Sequence, residues 1–171
     1  PQIIEVIDRY GADGVWVDGD VWAVRSCYCE RCRGEFQRRT GISEPPESPE
    51  EDEWEQWRAF QREVFIEYVR RYTDALHEHD PSFAVCSNWL YSARNPGPVT
   101  VDVDYLSGDL SPSWGAERGV MEGRCLDSRG LPWNLMMWSF CRPGVDTPYQ
   151  TKTAVQMCQE AAEIMACGGG V

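Results

Sequence analysis

Residues 13–32 read DGVWVDGDVWAVRSCYCERC. The segment GVWV is apolar throughout, which is typical of a strand buried in a parallel sheet. Two aspartates, Asp18 and Asp20, follow that strand directly. Three cysteines with the spacing C-x-C-x-x-C come next, namely Cys27, Cys29 and Cys32. This stretch therefore predicts carboxylates at a strand end and a group of thiols in the loop beyond it.

The composition is that of a globular domain. The chain has 171 residues, of which 42% are hydrophobic and 26% charged, enough for one domain with a hydrophobic core. Its net charge of −12 argues against a nucleic-acid partner, and no signal-peptide pattern or membrane-spanning run predicts a membrane partner. Eight tryptophans suit a carbohydrate or another apolar ligand as the partner, and the alternative is that most of them pack in the core. A homo-oligomer is left open.

The eight cysteines favour a reducing, cytoplasmic compartment, because five of them are scattered and several lie in apolar runs. The clustered Cys27, Cys29 and Cys32 can share one structural Zn²⁺. A closed site needs a fourth ligand, which we expect upstream of Pro1 or at a distant cysteine such as Cys86. The alternative is that all three are free thiols. No nucleotide-binding motif follows a strand, and no organic cofactor is expected.

Hydrophobic periodicity predicts helices that alternate with strands. The helices are expected at 2–10, 32–41, 51–79, 115–128 and 151–170, and the strands at 14–17, 83–89, 103–110 and 131–140. A further strand begins at GGGV. Because the chain starts without Met inside a helical pattern, we expect it to be a fragment of a longer polypeptide.

Alternation of this kind predicts parallel strands joined by right-handed crossovers. Polar or aromatic residues recur at the strand ends, as at the catalytic face of a barrel. We therefore predict an α/β fold, a (β/α)8 TIM barrel of which about the C-terminal half is present. Residues 1–171 form one partial barrel domain in this interpretation, with strands 4 to 7 and the start of strand 8.

The strand-end carboxylates indicate glycoside hydrolysis, which needs one carboxyl group as proton donor and another as nucleophile or base. Asp18 is the predicted nucleophile, while Asp20 binds sugar hydroxyls or orients Asp18. The alternative for either aspartate is a loop-capping role. Asp109 or Glu117 is the predicted general acid. The predicted sugar contacts are Trp16, Asp20, Trp22, Asn88, Trp89 and Trp138.

Six segments in this order resemble the fucosidase-like glycosyl hydrolase barrels, of the hypothetical glycosyl hydrolase 6 type and related to glycoside hydrolase family 29. They are DGVWVDG, CYCERCRGEF with the TG after it, AVCSNW, YLSGD, LPWNLMMWSF and QEAAEIMACGGG. The resemblance implies a barrel whose fourth strand ends in the nucleophile, here Asp18. It also implies an acid/base after the sixth strand, at Asp109 or Glu117.

The cysteine cluster is similar to the zinc-binding cysteines of family 42 β-galactosidases, which take a fourth cysteine from earlier in the barrel. That family uses Asn-Glu after the fourth strand and a glutamate on the seventh. Here VDGD and MMWSF stand at those places, which favours the fucosidase-like arrangement. A non-catalytic carbohydrate-binding or structural domain is the alternative function.

Overall fold

A computed structural model describes residues 1–18, 25–110, 116–142 and 146–171, and every structural statement below concerns these ranges. Within them the chain forms helices and short strands in alternation. In chain order they are α1 (Gln2–Tyr10), β1 (Gly14–Val17), α2 (Glu30–Thr40), α3 (Trp54–His79), β2 (Ala84–Ser87), β3 (Leu106–Leu110), α4 (Ala116–Asp127), β4 (Trp133–Met137), β5 (Phe140–Cys141), β6 (Gln150–Thr151) and α5 (Ala154–Ala166).

The predicted helices are all present, with ends shifted by a few residues. The strands β2, β3 and β4 are shorter than predicted, at four or five residues each. The hairpin of β5 and β6 was not predicted from the sequence. No helix in the described part of the chain is long and apolar enough to cross a membrane.

The longer strands pair in parallel, as the alternating pattern predicted. β1 pairs with β2, and β3 pairs with β4. Gly14 permits the first pairing, because a Cβ atom there would lie 2.7 Å from the carbonyl oxygen of Ala84. The hairpin of β5 and β6 is antiparallel.

Single bridges connect these pairs. Asn88, just after β2, bridges in parallel to Ser107 of β3, and its N–H donates to the carbonyl of Val17. Gly170 bridges in parallel to Asn134 of β4, at the place where a further strand was predicted to begin. The carboxyl ends of β1 to β4 consequently lie along one edge.

The prediction of a (β/α)8 barrel is wrong for this chain. In the described residues the strands form three two-stranded sheets rather than a closed ring. Closure of such a barrel needs eight tilted strands with a consistent shear, whereas only four parallel strands are described here. Alternation of helices and strands is common to open and closed sheets, so the pattern that suggested a barrel does not establish closure.

The main hydrophobic core lies between α3, the second strand pair and the helices α4 and α5. It includes Phe65, Leu106, Leu126, Leu135 and Ile164, each at most 1% exposed. A second cluster joins α2 to α3 through Phe36, Trp57 and Phe60. The first core positions the strand ends, and the second positions the loop that carries the cysteines.

Candidate active site and metal centre

Four side chains that are far apart in the sequence meet at the carboxyl ends of the parallel strands. Asp18, Asn88 and Trp138 each follow a strand directly, and Asp109 is the penultimate residue of β3. Parallel strands end at the same edge of a sheet, which is why these positions converge. We call Asp18, Asn88, Asp109 and Trp138 the strand-end cluster.

Asn88 is the centre of the strand-end cluster. Its Nδ2 donates to Oδ1 of Asp18 at 3.0 Å and to Oδ2 of Asp109 at 3.2 Å. An amide nitrogen has two hydrogens, and here the two carboxylates share them. Asn88 is 2% exposed, and its Oδ1 has no hydrogen-bond partner among the described residues. One buried amide therefore holds the two carboxylates in a fixed relation.

The two carboxylates differ in their surroundings. Asp109 is 7% exposed, and its second oxygen accepts a hydrogen bond from Nε1 of Trp138 at 3.2 Å. Asp18 is exposed at the end of β1. The cluster therefore contains a buried carboxylate that accepts two hydrogen bonds, Asp109, and an exposed carboxylate that a ligand can approach, Asp18.

The loop after Asn88 has a strained backbone. Trp89 has a φ of 66° and Tyr91 a φ of 60°, in the left-handed region that favours glycine. Trp89 is 4% exposed, and the Arg94 guanidinium lies 4.3 Å from its ring centroid. The ring also packs on Gly108, where an added Cβ would lie 3.2 Å from two of its carbons. Trp89, a predicted sugar contact, thus packs behind the cluster, and backbone strain of this kind is concentrated at functional sites.

Beside Asp109 lies an aromatic row, of which only Trp138 was predicted from the sequence. Trp138 is half-buried and packs on Phe140 with ring centroids 4.8 Å apart, and Phe140 packs on Tyr149 at 5.1 Å. Tyr149 is 61% exposed. The β5–β6 hairpin creates this row by pairing Phe140 with Thr151. The alternating aromatics in WSF and the tyrosine in PYQ were the available signal.

The other predicted site residues have different placements. Trp16 is half-buried in β1, two residues before Asp18 and so on the same face of the strand. Glu117 is exposed in the first turn of α4. Asp20 and Trp22 lie outside the described residues. The structure therefore brings Asp109 to Asp18 through Asn88, and no described contact does the same for Glu117.

Glu122, which was not among the predicted site residues, is a further carboxylate of interest. It is fully buried on α4, where its Oε1 accepts the Ala93 N–H at 2.8 Å and its Oε2 lacks a described partner. Burial raises the pKa of Glu122. Its hydrogen bond joins α4 to the loop that follows Asn88.

The three clustered cysteines lie together as the spacing predicted. Their sulfur atoms all lie within 4.8 Å of one another, and Sγ of Cys27 is 3.5 Å from Sγ of Cys29. Sulfur ligands of a tetrahedral zinc ion are about 3.8 Å apart, given Zn–S bonds of about 2.3 Å. The group can therefore hold a metal ion. We call Cys27, Cys29 and Cys32 the cysteine cluster.

The start of α2 sets the electrostatics of the cysteine cluster. The pKa of Cys29, the residue before the first turn of α2, is lowered chiefly by the backbone N–H of Cys32, although no regular N-cap hydrogen bond forms. The Cys27 thiol also contributes. Burial raises the pKa of Cys32 to about 12, and the neighbouring thiols add to this effect. A bound cation would counter that rise, because it favours thiolate over thiol.

The cysteine loop is fixed by packing rather than by disulfides. None of the eight cysteines, all of which lie in the described ranges, forms a disulfide. The ring of Tyr28 packs on Trp57 at 5.2 Å, and its hydroxyl donates to the carbonyl of Pro46 at 2.8 Å. Cys86, the distant ligand suggested from sequence, is fully buried in the middle of β2. A fourth ligand is not found in the described ranges, whose metal-binding group consists of these three thiols.

Comparisons with protein family models, with curated proteins and with solved structures found no match to this chain.

Proposed function

We propose that this protein is a retaining glycoside hydrolase in which Asp18 and Asp109 form the catalytic pair. The observation that carries the proposal is the shared donor, Nδ2 of Asn88, which binds one oxygen of each carboxylate. The resemblance of the ordered segments to fucosidase-like hydrolases supports the same assignment.

The geometry of the pair favours retention of configuration. Because the two oxygens bond one nitrogen atom, they are no farther apart than the sum of the two hydrogen-bond lengths, 3.0 Å and 3.2 Å. Carboxyl groups of retaining enzymes are about 5–5.5 Å apart, whereas those of inverting enzymes are about 6.5–9.5 Å apart. This upper limit on the separation of the two bonded oxygens is compatible with the first range and lies below the second.

In the proposed mechanism Asp18, which is exposed, attacks the anomeric carbon and forms a glycosyl ester. Asp109 donates a proton to the departing glycosidic oxygen, and the bond between that oxygen and the anomeric carbon breaks. Asp109 then removes a proton from water, whose oxygen attacks the anomeric carbon and releases Asp18. Asn88 keeps the two carboxylates in register through both steps.

The aromatic row supplies a surface for the sugar. Trp138 orients Asp109 through its indole N–H and leaves part of its ring accessible. Tyr149 extends the surface outward, being 61% exposed. Aromatic faces of this kind stack against the apolar face of a pyranose. Trp16, two residues before Asp18 in the chain, would line the opposite side of Asp18.

The metal proposed for the cysteine cluster is a structural Zn²⁺, held by Cys27, Cys29 and Cys32. Thiolates prefer this ion, and the sulfur separations suit a tetrahedral site. The ion would fix the segment that leads into α2, where Tyr28 also packs on Trp57 and donates to the carbonyl of Pro46. No catalytic step requires it.

Turnover of aryl glycosides tests the proposal. We expect Asp18→Asn to lower kcat/KM by a factor on the order of 10³ or more, because the covalent step loses its nucleophile. Asp74→Asn, an exposed aspartate on α3, is the matched control and should leave turnover unchanged. Full activity of Asp18→Asn on a hydrolysed substrate would exclude the assignment.

A non-catalytic carbohydrate-binding domain is the second candidate, and the exposed end of the aromatic row favours it. In that case a panel of glycosides would show saturable binding, reduced by Tyr149→Ala, with no hydrolysis of any member. Retained anomeric configuration in the first product, followed by proton NMR, would decide for the hydrolase.

A further inference from the structure

The thiols of the cysteine cluster are close to one another and, in two of three cases, open to solvent. Cys27 and Cys29 are exposed, and Cys32 is partly exposed. The three sulfur atoms lie within 4.8 Å of one another, with 3.5 Å between Sγ of Cys27 and Sγ of Cys29. Thiols this close can form a disulfide after rotation of their side chains. The cluster can therefore exchange with a disulfide that arrives from solvent.

Cys29 and Cys32 have the spacing of a redox-active pair. Residues 29–32 read CERC, a C-x-x-C motif in which Cys29 is the residue directly before α2 and Cys32 lies in the first turn of that helix. Disulfide oxidoreductases use C-x-x-C pairs for thiol–disulfide exchange. Of the two cysteines, Cys29 is the more exposed, so an incoming disulfide reaches it first.

A cavity of about 510 Å³ between α2 and α3 adjoins the cysteine cluster, and Cys32 is one of its lining residues. The charged residues that line it are Arg31, Glu35, Arg39, Glu67 and Arg71. Arg39 donates to both glutamates, at 2.6 Å and 2.7 Å. In the part of the chain that the structure describes, the guanidinium groups of Arg31 and Arg71 have no hydrogen bond or ion pair. Three arginines and two glutamates give the lining a net charge of +1, in a chain with a net charge of −12.

We propose that the cysteine cluster is a thiol–disulfide exchange site for a small anionic disulfide, with Cys29 as the attacking residue and Cys32 as the resolving residue. The cavity beside Cys32 is large enough for such a molecule. Arg31 and Arg71 attract its carboxylates. The exchange requires neither glycoside hydrolysis nor a bound metal.

The exchange has two steps. The sulfur of Cys29 attacks as a thiolate on one sulfur of the small disulfide, whose S–S bond breaks and whose other half leaves as a thiolate. The sulfur of Cys32 then attacks the sulfur of Cys29 in this mixed disulfide and releases the second half. Two electrons pass from the two cysteines to the small disulfide, and the protons of the two cysteine thiols end on the two released thiols. The product is a Cys29–Cys32 disulfide, with Cys27 left as a thiol.

Reaction with oxidised glutathione, an anionic disulfide, tests the site. The full chain is incubated with it in the presence of a chelator, and peptide mass spectrometry follows each cysteine over time. We expect a Cys29–Cys32 disulfide to form at least about tenfold faster than the mixed disulfide at Cys158, an exposed cysteine on α5. Modification of Cys29 no faster than that of Cys158 would overturn the proposal, and so would a disulfide that excludes Cys29.

Cysteine variants separate the two steps. Cys29→Ser should lose the fast reaction. The double change Cys27→Ser with Cys32→Ser should stop at the mixed disulfide, with glutathione attached to Cys29, because no neighbouring thiol remains to release it. Cys158→Ser is the matched control and should form the cluster disulfide at the original rate. A fast internal disulfide in Cys29→Ser would contradict the attacking role of Cys29.

Cystamine, a cationic disulfide, tests the role of the cavity. Arg31→Gln with Arg71→Gln should slow the reaction with oxidised glutathione by about threefold or more and should not slow the reaction with cystamine, since only the anionic reagent loses an attraction. The matched control is Arg9→Gln with Arg124→Gln, at exposed positions of α1 and α4. Equal slowing of both reagents, or equal slowing in the control, would contradict an anionic ligand.

Discussion

The strand-end cluster and the cysteine cluster are built in opposite ways. The first draws its members from positions 18, 88, 109 and 138, and its central amide is 2% exposed. The second draws its members from six consecutive residues, two of which are exposed. The first depends on the pairing of four strands, whereas the second depends on one loop and the start of one helix.

The difference determines what each group can do and what can disrupt it. A cluster assembled from distant strands is as rigid as the sheet, which is what a pair of catalytic carboxylates needs. A cluster within one loop can bind a metal with little help from the rest of the fold, since binding itself orders the loop. Substitutions that affect one cluster and leave the other intact therefore test this account.

Among the changes that test this comparison, the largest effect is expected at the general acid. Asp109→Asn should lower turnover of unactivated glycosides by about 10²–10⁴-fold, because the leaving oxygen loses its proton donor. Aryl glycosides with good leaving groups should lose much less. Steady-state kinetics against a leaving-group series measures the difference, and Glu117→Gln is the matched control. A loss with Glu117→Gln in place of Asp109→Asn would move the role to Glu117.

A buried ion pair between Lys152 and Glu160 stabilises the segment that follows β4, and one substitution can disrupt it. Nζ of Lys152 is 2.7 Å from Glu160, both side chains are at most 3% exposed, and the N–H of Lys152 donates to Ser139. Lys152→Met should lower the free energy of unfolding by about 3–5 kcal/mol, because it leaves a buried carboxylate unpaired. Urea denaturation measures this.

Two further variants show whether the loss of stability comes from an unpaired buried charge. The double change Lys152→Met with Glu160→Leu should recover most of the loss, because no buried charge remains. Arg9→Met removes an exposed pair with Glu5, 3.1 Å long, and should cost less than about 1 kcal/mol. Equal effects at the exposed and buried pairs would contradict the structural account of Lys152.

The cysteine cluster can be disrupted without a change in the strand-end cluster. Cys29→Ser should weaken Co²⁺ or Zn²⁺ binding by at least tenfold, since one of three thiolate ligands is lost. It should change the stability of the metal-free protein by less than about 0.5 kcal/mol, because Cys29 is exposed. The thiolate-to-Co²⁺ absorption band reports the metal, and Cys158→Ser, an exposed cysteine on α5, is the control. Unchanged metal affinity of Cys29→Ser would exclude the site.

The smallest expected effect is a pH dependence at Glu122. Its pKa is raised by burial, so the folded protein retains a proton that the unfolded chain loses above its ordinary value of 4.5. The stabilisation is complete below that value and is lost as pH rises through the folded pKa. Glu122→Gln, which keeps an acceptor for the Ala93 N–H, should flatten this part of the stability profile. Parallel urea curves from pH 4 to pH 8 would reveal it, and an unchanged slope would contradict the burial argument.

Much of the local structure could be predicted from the sequence. The alternation of periodic and apolar segments indicated the helices and the parallel strands, and strand ends are where polar residues of such sheets converge. Asp18, Asn88, Asp109 and Trp138 were therefore identified as candidates before their contacts were known. The spacing of the three cysteines likewise predicted that they lie together.

Other features depend on tertiary contacts that no local pattern contains. Sheet closure is decided by strand number and shear, so the barrel prediction was wrong. Trp89 was predicted to contact the sugar, but the left-handed backbone after Asn88 directs its ring onto Gly108. Glu122 was not among the predicted site residues, yet its buried side chain accepts the N–H of Ala93, 29 residues earlier in the chain.

The most direct test of the central claim is covalent trapping of the nucleophile. Incubation with an activated 2-deoxy-2-fluoro glycoside of a sugar that the protein hydrolyses, followed by peptide mass spectrometry, should find the fluorosugar attached to Asp18. The Asp109→Asn variant should still form this adduct from an activated aryl glycoside. A sugar adduct on another residue, or rapid turnover without any adduct, would contradict the assignment of Asp18 and Asp109 as the catalytic pair.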